Sequence, residues 1–157
     1  MSSNLKLAYQ NSIIESSEKV SKNIPLSSDN LVNKLWKKIV SLTSLPDNWD
    51  SYGAVPLKEC SIYAAISYVE KLLKDKKIPE PDVIPVSNGN IQLEWSCYDI
   101  DLEIEISSEN SLHVFYQNLI TNESWEEDIE YDFTGLIDSI NALEKLNIEN
   151  TRFQLVS

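Results

Sequence analysis

Glycine, cysteine, histidine and arginine are all scarce in the sequence. The scarcity of glycine and that of cysteine each exclude a class of function. Its 157 residues include three glycines, two cysteines and one histidine. Three glycines cannot supply the Gly-rich loops that hold nucleotide phosphates. Two cysteines without a CxxC pair exclude a disulfide framework and a cysteine zinc cluster. Without these motifs we expect no cofactor. No apolar run approaches the roughly 20 residues of a membrane span, and the first residues lack a signal-peptide profile, so we expect a cytoplasmic protein.

Basic residues are scarce in the second half of the chain, and the formal net charge is −12. Residues 79–157 contain 17 acidic residues but only two basic ones, Lys145 and Arg152. Residues 1–78 contain 11 lysines and 8 acidic residues. Nucleic acids and anionic membranes bind clustered lysine and arginine, so we expect neither as a direct partner. A basic protein partner or a cation is electrostatically compatible with this charge, and the alternative is that the charge only keeps the chain soluble.

Two amphipathic helices are predicted in the first half of the chain. Apolar residues at three- and four-residue spacing indicate helices over about residues 29–43 and 57–76. Pro46, Gly53 and Pro56 predict a rigid connection between them, because proline restricts the residue before it and glycine permits a positive φ.

The two ends of the chain carry weaker signals. Residues 1–28 contain serine pairs and Pro25, which predict an N-terminal arm that is weakly structured or helical. Apolar spacing predicts a closing helix over residues 133–146. Residues 152–156 are expected to fray or to add a final edge strand.

Beyond Pro81 the apolar period changes from 3.6 to 2, which predicts strands. Asn88-Gly89 is typical of a hairpin turn. The predicted strands cover residues 82–86, 91–95, 101–106, 112–117 and 127–132. Two helices, an antiparallel meander of four to five strands and a C-terminal helix packed on one sheet face make an α+β fold. We expect residues 29–157 to form this single domain.

Strand alternation predicts one apolar sheet face under the helices and one acidic face. The residues expected to face the helices are Leu93, Trp95, Leu102, Ile104, Ile106, Leu112, Val114, Ile129 and Tyr131. The opposite face is expected to carry Gln92, Glu94, Asp101, Glu103, Glu105, His113, Phe115, Asp128, Glu130 and Asp132. That face would hold seven carboxylates and no lysine.

Like charges opposite each other across strands cost several tenths of a kcal/mol per close pair. Tolerating that cost suggests a surface matched to a basic partner, with Phe115 as an apolar anchor. The predicted partner-binding residues are Glu94, Asp101, Glu103, Glu105, His113, Phe115, Asp128 and Glu130. The alternative is a purely solubilising surface.

The segment Leu45–Ala54, Leu-Pro-Asp-Asn-Trp-Asp-Ser-Tyr-Gly-Ala, resembles the signature of a family of small, uncharacterised bacterial proteins. Their signature is Leu-Pro-x-x-Trp-Asp-(Gly/Ser)-Tyr-Gly-Ala, and the resemblance covers about residues 45–106. Leu57 departs from it, since the family commonly has a capping serine or threonine there. The resemblance implies no catalytic residue. It implies a bacterial or mobile-element origin, where small accessory proteins are often inhibitors, antitoxins or immunity factors.

The loop residues Asn48, Trp49, Asp50 and Tyr52 allow two hypotheses. In one, the Asp50 carboxylate and the Tyr52 hydroxyl lie at the rim of a ligand site and serve proton transfer. In the other, Trp49 anchors the loop while the neighbouring carboxylates and amide bind loop N–H groups.

Other candidate residues have more ordinary explanations. His113 lies among carboxylates, which favours its protonation and suits a pH-sensitive contact, although it fits an ordinary polar strand position as well. Cys60, in the second helix, and Cys97, in a turn, have no neighbouring histidine or arginine in sequence and are not expected to be nucleophiles. Carboxylates at every second position from Asp99 to Glu105 are spread over about 6.6 Å per step, so we expect no metal site.

The sequence therefore predicts a non-enzymatic module that docks a basic protein through an acidic sheet face, in an antitoxin, immunity or inhibitor role. A first alternative is a small-ligand-binding protein or enzyme that uses the Trp49–Tyr52 loop, with Asp50 as acid or base. A second is a phage or mobile-element inhibitor of a defence system that mimics nucleic acid.

Overall fold

The computed structural model describes residues 31–108 and 110–154, and within them it contains three helices and five strands. The elements, in chain order, are α1 (Leu31–Leu42), α2 (Glu59–Leu73), β1 (Asp82–Pro85), β2 (Ile91–Cys97), β3 (Ile100–Ser108), β4 (Ser111–Asn118), β5 (Glu123–Ile129) and α3 (Thr134–Gln154). The predicted α+β class is confirmed. The predicted arm over residues 1–28 lies outside the described residues.

The strands form one antiparallel meander in the order β1-β2-β3-β4-β5. In its centre Leu93 lies opposite Ile104, and Ile104 lies opposite Val114. All three side chains are buried, because alternate residues of each strand point to the side that the helices cover. The apolar face is therefore the one that the sequence predicts in β2, β3 and β4.

Helix α2 packs on β3, and α1 packs on α2. The buried Ser61 hydroxyl joins α2 to the sheet, since it donates to the Ser107 carbonyl at 2.9 Å. The Trp95 indole N–H donates to the Pro79 carbonyl at 2.9 Å and so fixes the segment that leads into β1. These bonds satisfy polar groups at the edges of an otherwise apolar layer.

The last strand differs from its prediction. It covers Glu123–Ile129 rather than residues 127–132, because Trp125 lies opposite Tyr116 and stacks on it with ring centroids 5.8 Å apart. The chain leaves the sheet after Ile129. Tyr131, predicted to face the helices, is 86% exposed, and Glu130 and Asp132 lie beyond the strand.

Helix boundaries also differ from the predictions. The second helix is shorter than residues 57–76, since Asp75 adopts a positive φ of 62° just after α2 ends. The closing helix is longer than residues 133–146, and residues 152–154 are helical rather than part of an edge strand. Thr151 lies in this extension, and its hydroxyl donates to the Asn147 carbonyl at 2.7 Å within the helix.

Side chains of α3 bind the chain just after α2. The Lys76 ammonium lies 2.9 Å from a Glu144 carboxylate oxygen, and the Lys77 amide donates to the other oxygen at 2.8 Å. The Asn147 amide group donates to the Lys77 carbonyl at 3.0 Å, and its oxygen accepts from the Tyr98 hydroxyl at 2.7 Å. The closing helix is thus held by polar contacts as well as by its buried leucines.

The Asn88-Gly89 turn lies directly against the connection between α1 and α2. The Val55 amide donates to the Ser87 carbonyl at 2.9 Å, and the Lys58 amide donates to the Gly89 carbonyl at 2.8 Å. Gly89 has a φ of +86°, and a Cβ there would lie 2.8 Å from the Pro56 carbonyl oxygen. Only glycine fits this close approach of two backbones.

We expect Gly89→Ala to lower the free energy of unfolding by about 2–4 kcal/mol, because it combines backbone strain with a clash against backbone. Gly53→Ala should cost less, since that site has a φ of +99° but open space around it. Gly135→Ala should be nearly neutral, as its Cβ would make ordinary contact with Trp125 at 3.5 Å. Urea unfolding of the three variants tests this ranking, and equal losses would contradict it.

Candidate functional site: the acidic sheet face

The sheet surface opposite the helices carries an ordered array of acidic side chains. We call this surface the acidic face and define it by Asp82, Gln92, Glu94, Asp101, Glu103, Glu105, His113, Phe115, Glu126 and Asp128. Seven of these ten residues are carboxylates, and none is lysine or arginine. One row crosses all five strands in register, through Asp82, Glu94, Glu103, Phe115 and Glu126. Neighbouring members of this row are about 4.8 Å apart along the strand-to-strand direction.

Most of the residues predicted for this surface are brought together on it. They are Glu94, Asp101, Glu103, Glu105, His113, Phe115 and Asp128. Glu130 was predicted there and is not, because β5 ends at Ile129. Sequence reasoning missed Asp82 and Glu126. Glu126 has the same parity as Asp128, so an earlier start of the strand at Trp125 would have revealed it.

Neutral donors, rather than lysines, contact the carboxylates in the centre of the acidic face. Glu105 accepts from the side-chain amides of Asn88 at 3.0 Å and Asn90 at 2.7 Å. Glu103 accepts from Gln92 at 3.1 Å. Amide donors orient these carboxylates without cancelling their charge.

The lysine ion pairs of the described residues lie elsewhere. Lys34 and Lys38 pair with Glu80, and Lys76 pairs with Glu144. None of these groups belongs to the acidic face. The negative charge of that face is therefore compensated within the described residues by a single histidine.

Glu94 and Glu103 lie directly opposite each other on β2 and β3. Two carboxylates that face each other across neighbouring strands repel each other by a few tenths of a kcal/mol. Both side chains are half-buried, so water screens the repulsion only in part. The fold tolerates this cost at the centre of the β2–β3 pair.

His113 bridges two carboxylates of the neighbouring strand. Its Nδ1 lies 2.8 Å from Asp128 Oδ1, and its Nε2 lies 3.0 Å from Glu126 Oε1. Carboxylates accept hydrogen bonds, so this geometry requires a proton on both ring nitrogens. The hydrogen bond with Asp128 is the largest cause of the raised pKa of His113. Burial, the second largest, lowers this pKa, and the hydrogen bond with Glu126 raises it further. Glu105 faces the same ring from β3.

An open depression of about 290 Å³ lies in the middle of the acidic face. Its lining residues are Gln92, Glu103, Glu105, His113, Phe115 and Glu126. Phe115 is half-buried between carboxylates of β3 and β5, opposite Glu103 and Glu126. An aromatic surface surrounded by carboxylates suits the side chain of a lysine or arginine, which combines an apolar stem with a charged head.

No group of three or more histidine, cysteine, aspartate or glutamate side chains within residues 31–108 and 110–154 has the arrangement needed to hold a metal ion. Cys97 is the last residue of β2 rather than part of a turn, and burial, followed by the charge of Asp101, raises the pKa of its thiol. A raised thiol pKa disfavours the nucleophilic thiolate.

The tryptophan loop is held together by its own side chains. One oxygen of Asp50 accepts from the amides of Tyr52 at 2.8 Å and Ala54 at 3.0 Å. Asn48 accepts from the Gly53 amide at 2.7 Å, and the Trp49 indole donates to the Val55 carbonyl at 3.2 Å. The loop needs this bracing because Asn48 adopts a positive φ of 57°.

The loop geometry leaves Asp50 poorly suited to proton transfer. The backbone bond from Ala54, followed by that from Tyr52, lowers the pKa of Asp50. A carboxylate with a lowered pKa is a weak base near neutral pH. Tyr52 is 93% exposed, so its side chain is largely open to solvent.

Comparison with protein-family models, with curated proteins and with solved structures gives no match. The resemblance of residues 45–106 to a family of small bacterial proteins therefore remains an expectation. Among the described residues, no helix is both long and apolar enough to cross a membrane.

The single histidine allows its protonation to be followed directly by NMR. We expect the native pKa of His113 to lie above 6.5, and Asp128→Asn to lower it more than Glu126→Gln does. Because the folded pKa is raised, the His113 contacts stabilise the fold fully below about pH 6.5 and lose that effect as the pH rises through the folded pKa. A native pKa at or below 6.5 would contradict the bridged geometry.

Substitutions at Asp50 distinguish a loop brace from a catalytic group. Asp50→Asn keeps an oxygen that accepts both backbone bonds, whereas Asp50→Ala removes it. We expect urea unfolding to show a clear loss of stability for Asp50→Ala and a smaller one for Asp50→Asn. Full stability of the alanine variant would mean that the carboxylate is not needed to hold the loop.

Proposed function

We propose that this protein is a non-enzymatic binding module that docks a basic protein partner through the acidic face. The observation that carries the proposal is the row of four carboxylates and Phe115 across the sheet, together with the absence of lysine and arginine from the ten described residues that define the acidic face. Such a surface attracts a positively charged partner over a distance and speeds its association.

The balance between stability and charge supports the same proposal. Threonine or lysine at position 94 or 103 would remove the Glu94–Glu103 repulsion and leave the strand pairing intact. A surface that serves only solubility has no use for carboxylates directly opposite each other. On a surface that binds a basic partner, opposed carboxylates are useful, because the positive charges of the partner offset their repulsion upon binding.

Phe115 gives the proposed surface an apolar centre. Binding energy at protein interfaces is concentrated in a few central residues that are surrounded by polar ones. Phe115 occupies such a central position, within a depression lined by Glu103, Glu105 and Glu126. We propose that a lysine or arginine of the partner enters this depression.

An antitoxin, immunity or inhibitor role follows from the proposal together with the family resemblance. A protein that covers a basic surface blocks whatever that surface binds. We place this role in the cytoplasm of a bacterium or with a mobile element, as the resemblance of the Leu45–Ala54 segment implies. The alternative that uses Asp50 as acid or base has less support, since both of its backbone bonds are structural.

The test compares two triple variants that change charge equally. The face variant combines Glu94→Gln, Glu103→Gln and Glu126→Gln, and the control combines Glu70→Gln, Asp138→Asn and Glu149→Gln on exposed helix positions. The native protein serves to capture a partner from the host at 50 mM salt, and the purified partner is then titrated. We expect at least a tenfold weaker affinity for the face variant, little change for the control, and weaker native binding at 500 mM salt.

Stability measurements separate lost binding from lost folding. The face variant should unfold at about the same urea concentration as the native protein, because Glu94→Gln and Glu103→Gln relieve repulsion while Glu126→Gln weakens the contact with His113. Equal affinities of the face variant and the control, or an affinity that ignores salt, would refute the proposal. Competition of DNA for the captured partner would instead favour nucleic-acid mimicry.

A further inference from the structure

Strand β5 exposes one edge of the sheet. It pairs with β4 along its whole length from Glu123 to Ile129, and within the described residues no strand pairs with its other side. In an antiparallel sheet every second residue of an edge strand directs its N–H and C=O groups away from its neighbour. These groups need partners, so an open edge strand is a template for one more strand.

The other edge of the sheet, strand β1, is much less suited to pairing with an additional strand. Strand β1 has four residues and ends at Pro85, which cannot donate a backbone hydrogen bond. Helix α1 packs against β1, and the Lys38 ammonium reaches the Pro81 carbonyl just before it, at 3.5 Å. Short length, proline and a covering helix are the usual ways of protecting an edge. Within residues 31–108 and 110–154, the seven-residue β5 has neither a proline nor a pairing strand on its outer edge, and its exposed side chains are mostly acidic.

The charge of β5 lies on both of its faces. Glu126 and Asp128 belong to the acidic face, whereas Glu123 and Glu127 point to the other side of the strand, and all four are exposed. If the β5 strands of two copies paired with each other, carboxylates would stand close to carboxylates across the new pair. Such like-charge pairs destabilise a sheet, so the edge rejects a second copy of itself.

The same charges favour a strand of opposite sign. A strand with lysine or arginine on both faces would place cations beside Glu126 and Asp128 on one side and beside Glu123 and Glu127 on the other. Each favourable cross-strand pair contributes roughly 0.2–1 kcal/mol, in addition to the new backbone hydrogen bonds. The edge therefore discriminates between an acidic and a basic strand by charge alone.

We propose that the basic partner docks by adding one of its strands to β5, so that the five-stranded sheet continues into the partner. This inference rests on the proposed function, because it gives the binding mode of the same partner. A strand added to β5 lies about 4.8 Å from Glu126 and about twice that distance from Phe115. The partner residues that come directly after this added strand are then positioned to reach the depression on the acidic face.

Synthetic peptides of one sequence and one charge test the binding mode. The parent is an eight-residue peptide of lysine, arginine, threonine and valine, with basic residues on both strand faces. A second peptide carries backbone N-methyl groups on every second residue and so has one blocked edge. A third carries them on every residue and has two blocked edges. Strand addition needs one free edge, so the first two peptides should bind and the third should bind at least tenfold more weakly.

Protein variants separate the edge from the acidic face. Glu123→Gln with Glu127→Gln changes only the side of β5 that lies off the acidic face, and Glu94→Gln with Glu103→Gln is the matched control away from the edge. Titrations at 50 mM salt should show a weaker affinity of the parent peptide for the first pair than for the second. Backbone amides of β5 should also gain protection from hydrogen exchange when the peptide binds.

The outcomes distinguish the two proposals. Equal binding of all three peptides, with no effect of Glu123→Gln and Glu127→Gln, would overturn strand addition and leave electrostatic docking on the acidic face in place. Peptide binding with the expected edge dependence, together with unchanged partner affinity in the triple face variant, would overturn the proposed function instead. Failure of the parent peptide to bind at 50 mM salt would overturn strand addition.

Discussion

The strict alternation of side chains along β2, β3 and β4 is the constraint on which the rest of this structure depends. It places Leu93, Ile104 and Val114 in one buried row and directs the carboxylates of the same strands to the opposite surface. A shift of one residue would move charge into the core, so the apolar face fixes the register of the acidic one. The order of the surface charges is thus a consequence of core packing, and the fold accepts the repulsion that results.

The central strands could be predicted from the sequence because each of their residues repeats the same two-residue period, and Asn88-Gly89 marks the turn before them. Strand β5 could not, because its segment Glu123–Ile129 has only Trp125 and Ile129 as apolar residues. Its position is decided by the stacking of Trp125 on Tyr116, which is a contact between strands and leaves no local pattern. Because the last strand was predicted over residues 127–132, Tyr131 was expected in the core and Glu130 on the acidic face.

The side of the sheet on which a side chain lies could be predicted from alternation, but its hydrogen-bond partners could not. Parity along β2 to β4 located Glu94, Glu103, Glu105 and Phe115 correctly. Sequence alone could not tell that His113 would contact Glu126 and Asp128 rather than Glu105, since that depends on how the strands are aligned and on side-chain conformation. For the tryptophan loop, the bracing role of its polar side chains was one of two hypotheses, and the bonds of Asp50 and Asn48 follow it.

The uneven distribution of charge also gives the described part of the chain, from Leu31 onward, a permanent dipole moment. The connection and helices between Leu31 and Ile78 carry eight lysines against five acidic residues, whereas the five strands carry no basic residue other than His113. In the field of an approaching cationic body, such a dipole experiences a torque that turns the sheet toward that body. This rotation begins within a Debye length of about 8 Å at physiological salt, before any atoms touch. Collisions with the proposed basic partner would then start with the acidic face turned toward it.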